Sequence, residues 1–175
     1  QASRSTNVNV EMLGQTMKFI APAAAAVGGT LSETATLAGV LGDAGIQATM
    51  AGTMLRSTYL RLAAPAKAGA KALGQMRNEM GISAEEMPDV AKEALLAQKR
   101  LSGLGVKIFE NGKMRSMVSI LKEMHHATKN LADDEKLSII KDIFGTRSTA
   151  GALAIFKSVE TGKLDEVEEK INNAN

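Results

Sequence analysis

The chain has 175 residues, 45% of them hydrophobic and 23% charged, which suits one folded unit and excludes a disordered chain of low hydrophobicity. Lys and Arg total 21 against 19 Asp and Glu, so the formal net charge of +2 does not by itself signal a polyanionic partner. The absence of cysteine removes disulfides and thiolate zinc sites.

The apolar residues are of an unusual kind. One Tyr, four Phe, no Trp, ten Met and long Ala-rich stretches favour helix over strand, and the 16 Gly read as stops and close-packing points between short helices. Because the chain begins with Gln1, an excised segment or a processed product is expected.

Residues 1–7 are small and polar, and a frayed, disordered end is expected there. Val10, Leu13, Met17, Ile20, Ala24 and Val27 then recur at alternating spacings of three and four, which predicts one helical face. Pro22 should kink or restart that helix, since it has no amide to reach back four residues. Gly28 and Gly29 supply a stop, and Ser32 is placed to cap a second helix through Leu37, Val40 and Leu41 that ends near Gly45. A third helix from about Thr49 to Leu62 buries Ala51, Leu55, Tyr59 and Leu62, and Pro65 follows its end. Ala44, Ala48 and Gly52 would form a smooth strip on which a neighbouring backbone can come close.

From Ala66 to Leu101 the pattern predicts two helices split at Gly81. Ser83 and Glu86 stand at capping-box spacing before the second, and Pro88 lies near its start, where a missing amide costs little. The period then changes: Val106, Ile108, the Asn111–Gly112 pair and Met114 predict a two-strand hairpin around a tight turn. Helical stripes resume at Met117, Ile120, Leu121, Met124 and Leu131, then at Leu137, Ile140, Ile143 and Phe144, with Gly145 as the stop. A short helix with Leu153, Ile155, Phe156 and Val159 and a charged one from about Lys163 to Asn173 complete the chain, and no repeat of fixed period emerges.

The most apolar run, Phe19 to Leu31, is broken by Pro22, Gly28 and Gly29 and falls short of the roughly 20 residues of a membrane span. It has no signal-peptide cleavage pattern.

Little in the chain points to catalysis. His125 and His126 are adjacent, so on a helix they point about 100° apart and cannot chelate one metal; a solvated pair off the buried face is the simpler reading. Asp133, Asp134 and Glu135 could be taken as a cation site or general base, but at the positive end of a helix their charge is already accounted for. Gly103, Gly105 and Gly112 do not open a helix and make no phosphate cradle, and no Ser stands in a nucleophile-elbow setting. No residue is therefore assigned a catalytic, cofactor-binding or metal-ligating role, and no cofactor is expected.

Between Ala44 and Asn78 there is no acidic residue, and Arg56, Arg61, Lys67, Lys71 and Arg77 fall inside that stretch. This basic stretch, 56–77, is the one candidate nucleic-acid surface, yet Tyr59 is its only base-stacking ring, and a solvated helix face explains the charges as well. The C-terminal end is reversed in sign, with Glu160, Asp165, Glu166, Glu168 and Glu169 close together.

Several ordered blocks carry a family resemblance. MKFIAPAAAAVG (17–28), LSETATLAGVLGDAGI (31–46) and AGTMLRSTYLRLAAP (51–65) are followed by LGVKIFENGKMRSMVSIL (104–121), IFG (143–145) and LAIF (153–156). Together they resemble the core of phage tail tape measure proteins of the long-tailed type, over most of residues 10 to 170. The stretch from Gly74 to Ser102 is longer than that pattern and looks like an added helical arm.

The resemblance implies a structural protein of a bacteriophage or prophage tail. It would set tail tube length, act in tail assembly and DNA ejection, contact tail tube, chaperone and tail-tip proteins, and lie in the tail lumen of the virion after assembly in the host cytoplasm. Copies of such a protein would associate with one another. Some members carry cell-wall-degrading domains elsewhere, and none of those motifs is visible here.

A continuous helix of this length would reach roughly 260 Å at 1.5 Å per residue, but these helices are too short and too often stopped to make such a rod. The expected fold is all-α: a compact bundle of about seven to nine short helices with one small β-hairpin near residues 105–115. It forms a single domain over residues 8–175, with 66–102 as an inserted helical arm. A non-catalytic docking or assembly module on a longer ruler follows; the alternative is a DNA-contacting module using the basic stretch.

Overall fold

A computed structural model describes residues 10–63 and 87–173. The expected frayed end at residues 1–7, the helix before Gly81 and the Ser83–Glu86 capping box lie outside the described residues, as do Pro65, Lys67, Lys71 and Arg77. Among the described residues the chain forms eight α-helices, one 3-10 turn and one two-stranded ribbon, the all-α architecture that the periodicity predicts.

Helix α1 (Val10–Val27) is a single element that runs through Pro22 without restarting, with Ile20, Ala23 and Ala24 buried. Its stop comes at Gly28, which takes a φ of +84°. Helix α2 (Leu31–Asp43) is capped by Thr30 and not by Ser32 as expected. The Thr30 hydroxyl accepts from the Glu33 amide at 3.1 Å, and the Glu33 carboxylate accepts from the Thr30 amide at 3.2 Å, a reciprocal box that satisfies two orphan donors. Ser32 is instead one residue inside the helix, where its hydroxyl bonds the Asn172 side chain at 2.5 Å.

Helix α3 (Ala48–Ala63) buries Ala51, Leu55, Tyr59 and Leu62, the four residues its spacing selects. It runs parallel to α1, as three contacts climbing both helices in the same direction show. The Thr16 hydroxyl donates to the Ala48 carbonyl at 2.9 Å, a Cβ on Gly52 would lie 2.7 Å from the Phe19 Cβ, and the Tyr59 hydroxyl lies 3.0 Å from where a Cβ on Gly29 would be. The expected small-residue strip is therefore corrected to Gly52 alone: Ala44 lies outside the helix and Ala48 opens it with a φ of +52°.

Helix α4 (Met87–Gly103) has Pro88 as its second residue, where the lost amide is harmless, and packs on α3. The ribbon pairs Phe109 with Met114 and Glu110 with Lys113 in antiparallel register. Asn111 and Gly112 turn it with φ of +50° and +76°, the pair of positive values a tight two-residue hairpin needs. Arg115 then anchors the ribbon: its amide donates to the Ile108 carbonyl at 2.8 Å, and its guanidinium donates to the Lys107 carbonyl at 2.9 Å and pairs with Glu123. Hydrogen bonding to that guanidinium, and its charge, hold the Glu123 carboxyl below the usual range.

Helix α5 (Met117–Thr128) buries Met117, Ile120, Leu121 and Met124 as its stripe predicts. Helix α6 (Asp133–Phe144) and helix α7 (Thr149–Glu160) bury Ile140, Ile143, Phe144, Ile155 and Phe156 as their stripes predict, but not the first leucine of either stripe. Ile139 is buried and Leu137 is 36% exposed; Gly151 and Ala152 are buried and Leu153 is 41% exposed. Spacing fixes which residues share a face, not which way that face turns, and here α6 must serve α4, α3 and α7 together. Gly145 ends α6 with a φ of +82°, and the 3-10 turn Thr146–Ser148 leads into α7.

Helix α8 (Lys163–Asn172) hides Leu164, Val167 and Ile171 beneath its charged exterior. It lies antiparallel to α2, tied at one end by Ser32 to Asn172 and at the other by Lys163 to Asp43 at 3.8 Å. Lys122 of α5 reaches Asp165 at 2.6 Å and Glu168 at 2.9 Å, so part of the acidic C-terminal cluster holds two helices together. Burial pulls the Lys122 pKa down, but the two carboxylates outweigh it and leave it raised.

Candidate functional site

The residues singled out by sequence do not converge. Of the basic stretch, Arg56 and Arg61 are described. Arg61 is no solvated cation: its side chain is 12% exposed, pairs with Glu93 of α4 at 2.7 Å and lies against Gly145. Tyr59 is 1% exposed and cannot stack on a base. Its phenol pKa is pushed up by burial first and by the Glu33 carboxylate second, with the nearby Thr34 hydroxyl opposing, and its oxygen has no hydrogen-bond partner among the described residues. The nucleic-acid reading thereby loses its one ring and one of its cations.

The histidine pair is corrected as well, because the two rings have different surroundings. His126 is exposed, with its Nδ1 2.8 Å from the Lys122 carbonyl oxygen. His125 is half-buried at the α5–α7 contact, edge-on to Phe156 with ring centroids 5.6 Å apart, and its Nδ1 is shielded from solvent without a partner among the described residues. Burial lowers its pKa, and Lys136, His126 and Lys129 lower it further while Glu160 opposes them. Adjacent helical positions turned one ring inward and the other outward, which the apolar stripe alone did not distinguish. Among the described residues no grouping of three or more His, Asp or Glu could hold a metal ion.

Asp133, Asp134 and Glu135 occupy the first turn of α6 and are exposed. Ala132 at the cap position offers no side-chain bond, so these acids meet the helix end through charge alone.

The concave feature that the sequence did not announce lies between the start of α3 and the 3-10 turn before α7. It is a groove of about 500 Å³ whose lining includes Ile46, Met50, Thr53, Met54, Arg147 and Gly151, and no acidic residue lines it. Its floor exists because Gly151 has no side chain: a Cβ there would overlap the Met54 sulfur. Met50 at the rim is 65% exposed. A trace of one wall is in the sequence, since Met50, Thr53 and Ser57 recur at helical spacing opposite the buried stripe of α3, but the other wall comes from a segment about a hundred residues away.

A family model described as phage-related minor tail protein matches residues 1–145. The chain belongs to that family. It is 27% identical over 175 residues to the tape measure protein of Pneumococcus phage Dp-1, covering 99% of this chain and 13% of that protein. It is also 31% identical over 165 residues to the probable tape measure protein of Escherichia phage P2, covering 93% of this chain and 17% of that one. The chain thus spans less than a fifth of the length of these curated relatives. No solved structure matches it. Among the described residues no helix is long and apolar enough to cross a membrane.

Proposed function

We propose that this chain is the core module of a tape measure protein, a non-catalytic structural component of the phage tail that acts in tail assembly, in setting tube length and in DNA ejection. The observation that carries the reading is the likeness to two tape measure proteins over nearly all of this chain, together with short helices held by packing and ion pairing. The module acts as one unit over residues 8–175. It works by docking to copies of itself and to tail tube, chaperone and tail-tip proteins, within the host cytoplasm during assembly and then in the tail lumen.

An in-frame deletion of residues 10–173 from the full-length protein tests the reading, with tails measured by electron microscopy. A docking module predicts that tails fail to assemble or lose their uniform length. A passive stretch of ruler predicts uniform tails shorter by roughly 250 Å if the segment were one extended helix. Uniform tails of unchanged length would remove both accounts.

A further inference from the structure

The polar groups of the groove beside Met50 are of an uncommon kind for this protein. Thr49, Thr53 and Ser57 recur every four residues along α3, so they share one face, and all three line the groove; Ser148 lines it from the other wall. Elsewhere in the helices Thr16, Thr34, Thr36, Thr58 and Thr128 each turn the hydroxyl back to the carbonyl four residues earlier. Among the described residues the four groove hydroxyls make no such bond. Ser148 is the telling one: it is 4% exposed and stands at the cap position of α7, yet its side chain caps nothing. A hydroxyl that is withdrawn from water and has no protein partner is a group waiting for a ligand atom.

The charge around these hydroxyls has one sign. Arg147, next to Ser148, is exposed and in no ion pair among the described residues, and no acidic residue lines the groove. Ile46, Met50 and Met54 make the remainder apolar, over a floor that the missing side chain of Gly151 leaves open. A volume of about 500 Å³ suits a single small molecule. One cation is too few for a ligand rich in phosphate, and no aromatic ring lines the groove to stack on a base. One positive charge, several hydroxyl donors and an apolar floor match a carboxylate continued by an aliphatic chain.

We infer that the groove binds a small aliphatic carboxylate, its head group held by Arg147 and the hydroxyls and its chain lying over Ile46, Met50 and Met54. Methionine suits the task because its unbranched thioether adapts to a flexible chain. This ligand site goes beyond the proposed tail role and rests on the groove alone, so either can fail without the other.

The test is calorimetric titration of the 175-residue chain with decanoate, kept below the concentration at which it forms micelles. Saturable binding that weakens with salt is expected. Decanol, which has the chain without the charge, and acetate, which has the charge without the chain, should each bind about tenfold more weakly or worse. Arg147→Glu should lose decanoate and gain decylammonium, which the parent should reject; that gain also shows the variant to be folded. Ser148→Ala should weaken decanoate about threefold or more. A peptide ending in leucine with a free carboxylate offers the same chemistry from another source, and tighter binding of it than of decanoate would overturn the assignment to a small ligand. So would an absence of saturable binding, equal binding of decanoate, decanol and decylammonium, or decanoate affinities of the parent retained in Arg147→Glu or Ser148→Ala.

Discussion

The guanidinium of Arg61 occupies the space that a side chain on Gly145 would need: its Nη2 lies 2.6 Å from the position of an added Cβ. The same guanidinium pairs with Glu93, so one cation on α3 ties together α4 and the end of α6. Gly145→Ala should destabilise the fold by about 2 kcal/mol or more, combining a left-handed backbone with the displacement of a mostly buried side chain. In denaturant titrations the two sites should couple: in an Arg61→Ala background the Gly145→Ala penalty should shrink towards the backbone contribution alone. Additive losses would show that the contact has no energetic meaning.

Two small residues one turn apart on α3 should respond in opposite ways. Gly52→Ala drives a methyl into the Thr16 carbonyl, 2.8 Å from the new Cβ, as well as into Phe19, and should destabilise by about 1–3 kcal/mol. Ala48→Gly relieves a φ of +52° while keeping the carbonyl that accepts from Thr16, and should stabilise by up to about 1 kcal/mol. Thermal melts of both variants check the pair.

The Tyr59 hydroxyl is buried without a partner among the described residues, so removing it should not harm the fold. Tyr59→Phe should leave stability unchanged or raise it by about 1 kcal/mol, because an unsatisfied buried polar atom is lost and the ring is kept. A marked loss on unfolding would mean that the hydroxyl is bonded in solution.

Stability should fall on mild acidification through His125. Its pKa is lowered by burial in the folded chain, so the unfolded chain takes up the proton first. The contribution is complete above the ordinary imidazole value of about 6.5 and declines as pH drops below it towards the depressed folded value. His125→Phe should flatten the melting temperature between about pH 5 and pH 7. Parallel slopes in parent and His125→Phe would refute this.

Much of the fold is legible in the sequence because it depends on neighbours in the chain. The Asn111–Gly112 turn, the stops at Gly28 and Gly145, and the buried set on α3 follow from backbone preference and a spacing of three and four. The same logic locates the acids at the start of α6. It misassigns a cap when two hydroxyls compete: Thr30 wins over Ser32 because Glu33 stands three residues after it and closes the box.

What only the tertiary structure decided is the angular setting of each helix and the meeting of distant surfaces. Leu137 and Leu153 fit their stripes yet face outward, and His125 faces inward beside an exposed His126, because neighbouring helices choose which arc of an amphipathic face is covered. The groove between Met50 and Arg147 belongs to neither segment alone. Periodicity is a property of one helix, whereas burial, ion pairing and concavity arise only when two helices far apart in sequence share the same space.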